Sequence, residues 1–220
     1  YAAIQSARQD SPALISPNRW FLDGDGGNNQ VFAAAKYETA NASPASSDVV
    51  IGFVNLDRNN TQSDNFKIPS SLATLLGIQD SRTYNAKNIA AYTAQDSTRS
   101  DDWLWGSGIT GANLKASGFF VSLNKVPTVN ADWTTAPYEA QYLKIYDVTP
   151  PPAVAAPANS TGKSYVVGSN VTFTWSASAS NTADDNITGY RLVIKRNDTD
   201  ATVFDQNVGD VTEYQYSSSY

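Results

Sequence analysis

Of the residue types that carry chemistry, this chain offers carboxylates and aromatic rings and little else. It contains no His and no Cys. Without His there is no imidazole base, so Ser-His-Asp catalysis is excluded, and the commonest transition-metal ligand is missing. Without Cys there is no thiol nucleophile, no disulfide framework and no thiolate zinc centre. Carboxylates remain, and they do acid–base work only when two converge on one substrate. The adjacent pairs Asp101-Asp102 and Asp184-Asp185 are poorly placed for this, because neighbours on a strand point to opposite faces. Both are expected to be solvated turn acids, and no catalytic residue is assigned.

Two further chemistries are open. The run DGDGG at Asp23–Gly27 alternates acids with glycines, as calcium loops do, which makes Asp23 and Asp25 candidate ligands. It lacks the other ligands and the terminal Glu of an EF-hand; the competing reading is a plain Gly-rich turn. The aromatics are the second. An exposed ring can stack on a sugar through C–H contact and shape rather than charge. Trp103 and Trp105 share a face if Asp101–Trp105 is extended, either as a platform or as core. Trp133, with Tyr138 nearby, lies in the polar loop NADWTTAPY and is expected to be exposed. Trp175 and Trp20 are expected to pack inside.

These side chains must be held by strands, since helical periodicity is scarce and aromatics reach 11% with 12 Tyr to 8 Phe. An all-β chain is expected. Asp48–Asp57, DVVIGFVNLD, is apolar on both faces and β-branched, which places it in the middle of a sheet covered on both sides. Gln30–Glu38 alternates Val31, Ala33, Ala35 and Tyr37 against its other residues. Further extended candidates are Phe66–Ile68, Arg82–Ile89, Gly118–Leu123 and Tyr138–Val148. Pro69–Leu76 reads as one or two helical turns, with Ser70 or Ser71 as cap and Gly77 as stop. Tyr1–Asp10 has helical composition ended by Ser11-Pro12, and a helix so short must dock on something.

Thr149-Pro150-Pro151-Pro152 opens a stiff linker that runs to Ala158. Beyond it, Ser164–Ala177 and Gly189–Arg196 alternate as the strands of an Ig/fibronectin-type sandwich do. About five strands fit before the chain stops, short of the roughly seven such a sandwich needs. The second module is therefore expected to be incomplete.

The order of motifs resembles one family. RQDSPAL (Arg8–Leu14), RWFLD (Arg19–Asp23), QVFAAAKYE and VVIGFVNLD are similar to the junction where an α-amylase-family glycoside hydrolase leaves its catalytic barrel. Those enzymes continue into a β-sandwich that opens with a "VFAxxR/KY" and a "VVxxVNLD" strand. RTYNAKNIAAY (Arg82–Tyr92), WGSGITGANLKASGFFVSL (Trp105–Leu123) and APYEAQYLKIYD (Ala136–Asp147) agree. The resemblance spans roughly Tyr1–Asp147. It implies an antiparallel β-sandwich of the amylase C-terminal type, with a short N-terminal helix, followed by an incomplete Ig/fibronectin-like sandwich. By it, residues 1–18 are the end of a severed barrel helix and its connector, 19–148 the sandwich, 149–158 the linker and 159–220 the partial module.

The family's catalytic carboxylates lie on barrel strands upstream of this sequence, and retaining hydrolysis needs two of them about 5–5.5 Å apart. The resemblance thus implies a non-catalytic accessory region that stabilises and spaces its barrel. The barrel in cis is the expected partner, with α-glucan as a second. An independent carbohydrate-binding or cell-surface adhesion module is the alternative. The net charge of −6 disfavours nucleic acid, and no run reaches the ~18 apolar residues of a membrane span. A secreted location, extracellular, periplasmic or at the cell surface, follows from the family. The chain opens on YAAIQSARQD without Met or a signal peptide, so Tyr1 is expected not to be a natural start.

Overall fold

The computed structural model describes residues 2–57, 59–90, 102–123, 140–152, 154–157, 168–178, 187 and 189–217, with side chains from residue 4 onward. The chain divides into two compact units, Tyr1–Thr149 and Pro150–Tyr220. Both are built on antiparallel strands, and the short helices described all lie in the first: the chain is all-β in class.

The first unit opens with α1 (Ala2–Asp10) and α2 (Pro12–Ile15), then β1 (Arg19–Leu22), β2 (Val31–Tyr37), β3 (Val49–Asn55) and β4 (Gln62–Phe66). After α3 (Ser70–Leu75) come β5 (Thr83–Asn88), β6 (Ile109–Thr110), α4 (Gly111–Ala116), β7 (Phe119–Leu123) and β8 (Ala140–Asp147). Six strands form one sheet in the order β1-β2-β3-β8-β5-β6, and β4 pairs with β7 in a separate ribbon.

Alternation decides which side of each strand is buried. Val31, Ala33, Ala35 and Tyr37 of β2 are buried, as are Val49, Ile51 and Phe53 of β3 and Leu143 and Ile145 of β8. These form one core with Phe66, Leu72, Leu76, Leu114, Phe119 and Leu123. The core therefore lies between one face of the six-stranded sheet and the β4–β7 ribbon with α3 and α4. Phe53 sits at its centre, edge-on to Phe66 with ring centroids 4.8 Å apart and to Phe119 at 6.0 Å. Burying rings of this size contributes about 1.5–3 kcal/mol each.

Three local readings change. The Ser11-Pro12 step ends α1, yet the chain re-enters a helix at once, because Pro12 takes the first helical position where no N–H is needed. Pro69, not Ser70 or Ser71, holds the N-cap position of α3, which has no side-chain capping bond, while Gly77 terminates the helix at φ +64° as expected. There a β-carbon would also meet the Ala42 carbonyl oxygen at 2.2 Å. The segment GANLKA, unassigned from periodicity, is α4; Thr110 caps it by accepting the Asn113 N–H at 3.2 Å.

The expectation that β3 is covered on both sides holds over half its length. On its outer face Val50 is fully buried, where α2 packs over β2 and β3. Val54 is half-buried and Leu56 is 57% exposed.

In the second unit β9 (Asn170–Thr174) pairs with β12 (Glu213–Ser217), and β10 (Tyr190–Lys195) with β11 (Thr202–Gly209). Val171, Phe173 and Leu192 form a small core, against which Trp175 and Phe204 pack.

Candidate functional site

The glycine-rich loop after β1 is built around a carboxylate on another strand. Asp64, at the middle of β4, is buried, and its Oδ1 accepts the backbone N–H of Gly26 at 2.8 Å while Oδ2 accepts that of Asn28 at 3.1 Å. The loop also bonds directly to the strand, with the Asp25 N–H donating to the Asn65 carbonyl at 2.8 Å. A β-carbon on Gly24 would lie 2.0 Å from Asp64 Oδ2, and one on Gly26 2.6 Å from Oδ1. The glycines are there because the backbone closes on this side chain.

The loop's own acids, the candidate ligands, point away from Asp64. Asp25 pairs with Lys67 at 2.7 Å, and the hydrogen bond from that ammonium holds its carboxyl below the usual range. Asp23 is exposed. Asp64 faces N–H donors, which repel a cation. Among the described residues no three carboxylates gather to hold a metal.

Trp103 and Trp105 do not share a face, because residues 104–107 form a turn rather than a strand. The Trp105 ring tilts against Phe119 with centroids 4.9 Å apart and packs on the core, while its backbone N–H donates to Asn85 Oδ1 at 3.0 Å. With Phe120 and Gln141 it lines a shallow groove. Trp103 is 45% exposed. Its ring meets Tyr146 edge-on at 5.5 Å, and Lys87 Nζ stands 4.5 Å from its centroid. Trp133, Tyr138 and the pairs Asp101-Asp102 and Asp184-Asp185 lie wholly or partly outside the described residues. Trp20 and Trp175 both pack on their cores.

A feature that sequence reasoning missed is the outer face of the six-stranded sheet. Residues opposite one another in a ladder share a face. One row across five strands reads Arg19, Lys36, Val50, Lys144 and Lys87. The next reads Phe21, Ala34, Gly52 and Tyr142, and the one after Phe32, Val54 and Ala140. Lys144 pairs with Asp48 at 2.7 Å. Lys36 donates to the Ser16 carbonyl, and burial together with nearby Arg19 and Arg8 holds its ammonium below the ordinary range. Only strand order, not the sequence of any one strand, could have revealed this row.

Comparison with family models, with curated proteins and with solved structures yields no match.

Proposed function

We propose that this chain is the non-catalytic C-terminal accessory region of a secreted α-amylase-like glycoside hydrolase. On this reading the first unit is the amylase-type β-sandwich, which stabilises and spaces the catalytic barrel, and the second is a fibronectin-type module. What carries the reading is the ordered series of motifs along Tyr1–Asp147. Its two most telling members, QVFAAAKYE and VVIGFVNLD, are the adjacent strands β2 and β3, paired from Val31↔Asn55 to Tyr37↔Val49. The absence of His and Cys from the whole chain adds to it, since hydrolysis would then fall to carboxylates alone. An extracellular or cell-surface location belongs to the same reading.

The purified chain should release no reducing ends from starch, pullulan or maltooligosaccharides above a buffer blank. Release that disappears when a carboxylate within the chain is changed would overturn the proposal.

The alternative, an independent glucan-binding or adhesion module, draws on Trp103, whose half-exposed indole is held in place by Tyr146 and Lys87.

A further inference from the structure

Two Asp–Gly steps follow one another in the loop after β1, Asp23-Gly24 and Asp25-Gly26. Such a step is reactive in water, because glycine has no side chain to hinder its own backbone nitrogen. That nitrogen attacks the carboxyl carbon of the preceding Asp side chain, closing a five-membered succinimide and releasing one water. Hydrolysis of the ring takes one water back. Opening at one carbonyl restores Asp. Opening at the other leaves isoaspartate, in which the main chain runs through the former side chain. Atoms balance over the two steps, and neither oxidant nor cofactor is required.

The fold treats the two steps differently. At Asp25 both reacting groups are held. Its carboxylate is engaged by Lys67 Nζ at 2.7 Å and by Asn65 Nδ2 at 3.4 Å. The Gly26 nitrogen, which would attack, donates its hydrogen to Asp64 Oδ1 at 2.8 Å. The Lys67 pair lies at the surface and restrains little. The Gly26 bond decides, because its acceptor is an ionised side chain only 7% exposed. At Asp23 neither restraint is present. Its side chain is exposed, and among the described residues nothing bonds its carboxylate or the Gly24 N–H.

We propose that Asp23 is a site of spontaneous isomerisation to isoaspartate, with water as the only co-reactant, while Asp64 protects Asp25 two residues on. The same packing decides the consequence. A β-carbon on Gly24 would stand 2.0 Å from Asp64 Oδ2, so the backbone has no slack beside that carboxylate. Isoaspartate lengthens the main chain by one carbon immediately before this contact. Gly24 is displaced from Asp64, and the Gly26 and Asn28 bonds to the carboxylate loosen with it. An aged chain then carries a free α-carboxylate at position 23, the group that an isoaspartate-specific carboxyl methyltransferase esterifies. The inference is independent of the accessory reading.

The test incubates the 220-residue chain at neutral pH and body temperature for several weeks. Methylation by such a methyltransferase measures total isoaspartate, and mass spectrometry of a digest with electron-transfer fragmentation locates it. In the folded chain isoaspartate should form at position 23 at least about tenfold faster than at 25, the factor set by a hydrogen bond to a charged acceptor. In guanidinium, where no Asp64 contact survives, the two positions should react at similar rates. Asp23→Glu, whose cyclic intermediate would need a six-membered ring, should remove the native signal. Asp64→Asn, with its fold checked by circular dichroism, should speed the reaction at Asp25. The thermal midpoint should fall on ageing in the native sequence and hold in Asp23→Glu. Equal native rates at 23 and 25, no isoaspartate at 23 when the denatured chain forms it, a folded Asp64→Asn chain that still spares Asp25, or an isomerised chain with an unchanged midpoint would each overturn the proposal.

Discussion

The Gly26 N–H and the Asp64 carboxylate meet at 2.8 Å across 38 positions of sequence. That bond, with its Asn28 counterpart, makes the Asp23–Asn29 loop part of the fold of β4 rather than a free turn. Asp64→Ala should destabilise the first unit by about 2–3 kcal/mol, the scale for losing charged hydrogen bonds and leaving buried donors unpaired. Gly24→Ala should cost at least as much, since its methyl would occupy the carboxylate's space. Gly27→Ala, where a β-carbon meets nothing but φ is +64°, should cost only ~1–2 kcal/mol. Denaturant unfolding of the three variants gives the order directly.

Arg82 and Asp147 form an ion pair at the β5–β8 edge, with side chains only 6% and 1% exposed. Removing one partner strands a buried charge. Asp147→Ala should cost about 3–5 kcal/mol. The double variant Arg82→Met/Asp147→Leu should cost much less than the two single changes added together. A double-mutant cycle in thermal unfolding measures the difference.

Tyr84 is wholly buried, and its hydroxyl oxygen accepts the Gln79 N–H at 2.9 Å. Burial raises its pKa above the ordinary 10.0. A group raised in the folded state adds stability that is complete below the unfolded value and fades as pH climbs through the folded one. Stability should therefore decline above pH 10, and more steeply in the native chain than in Tyr84→Phe. Ultraviolet titration should show phenols ionising late, with Tyr146, also raised by burial, among them.

If the chain touches glucan, loop and half-exposed indoles are the contact. One or two stacked rings without a deep pocket give roughly millimolar affinity, near −4 kcal/mol. Electrophoresis through soluble starch should show slight retardation, reduced by Trp133→Ala or Trp103→Ala with circular dichroism unchanged. Trp105→Ala should instead lower stability, because that ring packs on the core. Identical migration with and without starch would leave a structural role alone.

What the sequence determined by itself is the set of strands that alternation marks. Val31, Ala33, Ala35 and Tyr37 announce β2, and Leu143 and Ile145 the buried side of β8, because side-chain direction along a strand is a local property of two-residue period. The class follows from the same signal. Tertiary structure decided what lies beyond that reach. Asp64 sits among polar residues in QSDNF, and nothing nearby says that a loop will close over it. The turn at 104–107 separates Trp103 from Trp105, since the backbone N–H groups of Leu104 and Trp105 donate to the Ala86 carbonyl and the Asn85 side chain and fasten that segment to β5. The placing of β8 between β3 and β5 brings Lys144 and Lys87 into line with Arg19 and Lys36. Strand order is set by the packing of the whole core, and a periodicity confined to one strand carries no record of its neighbours.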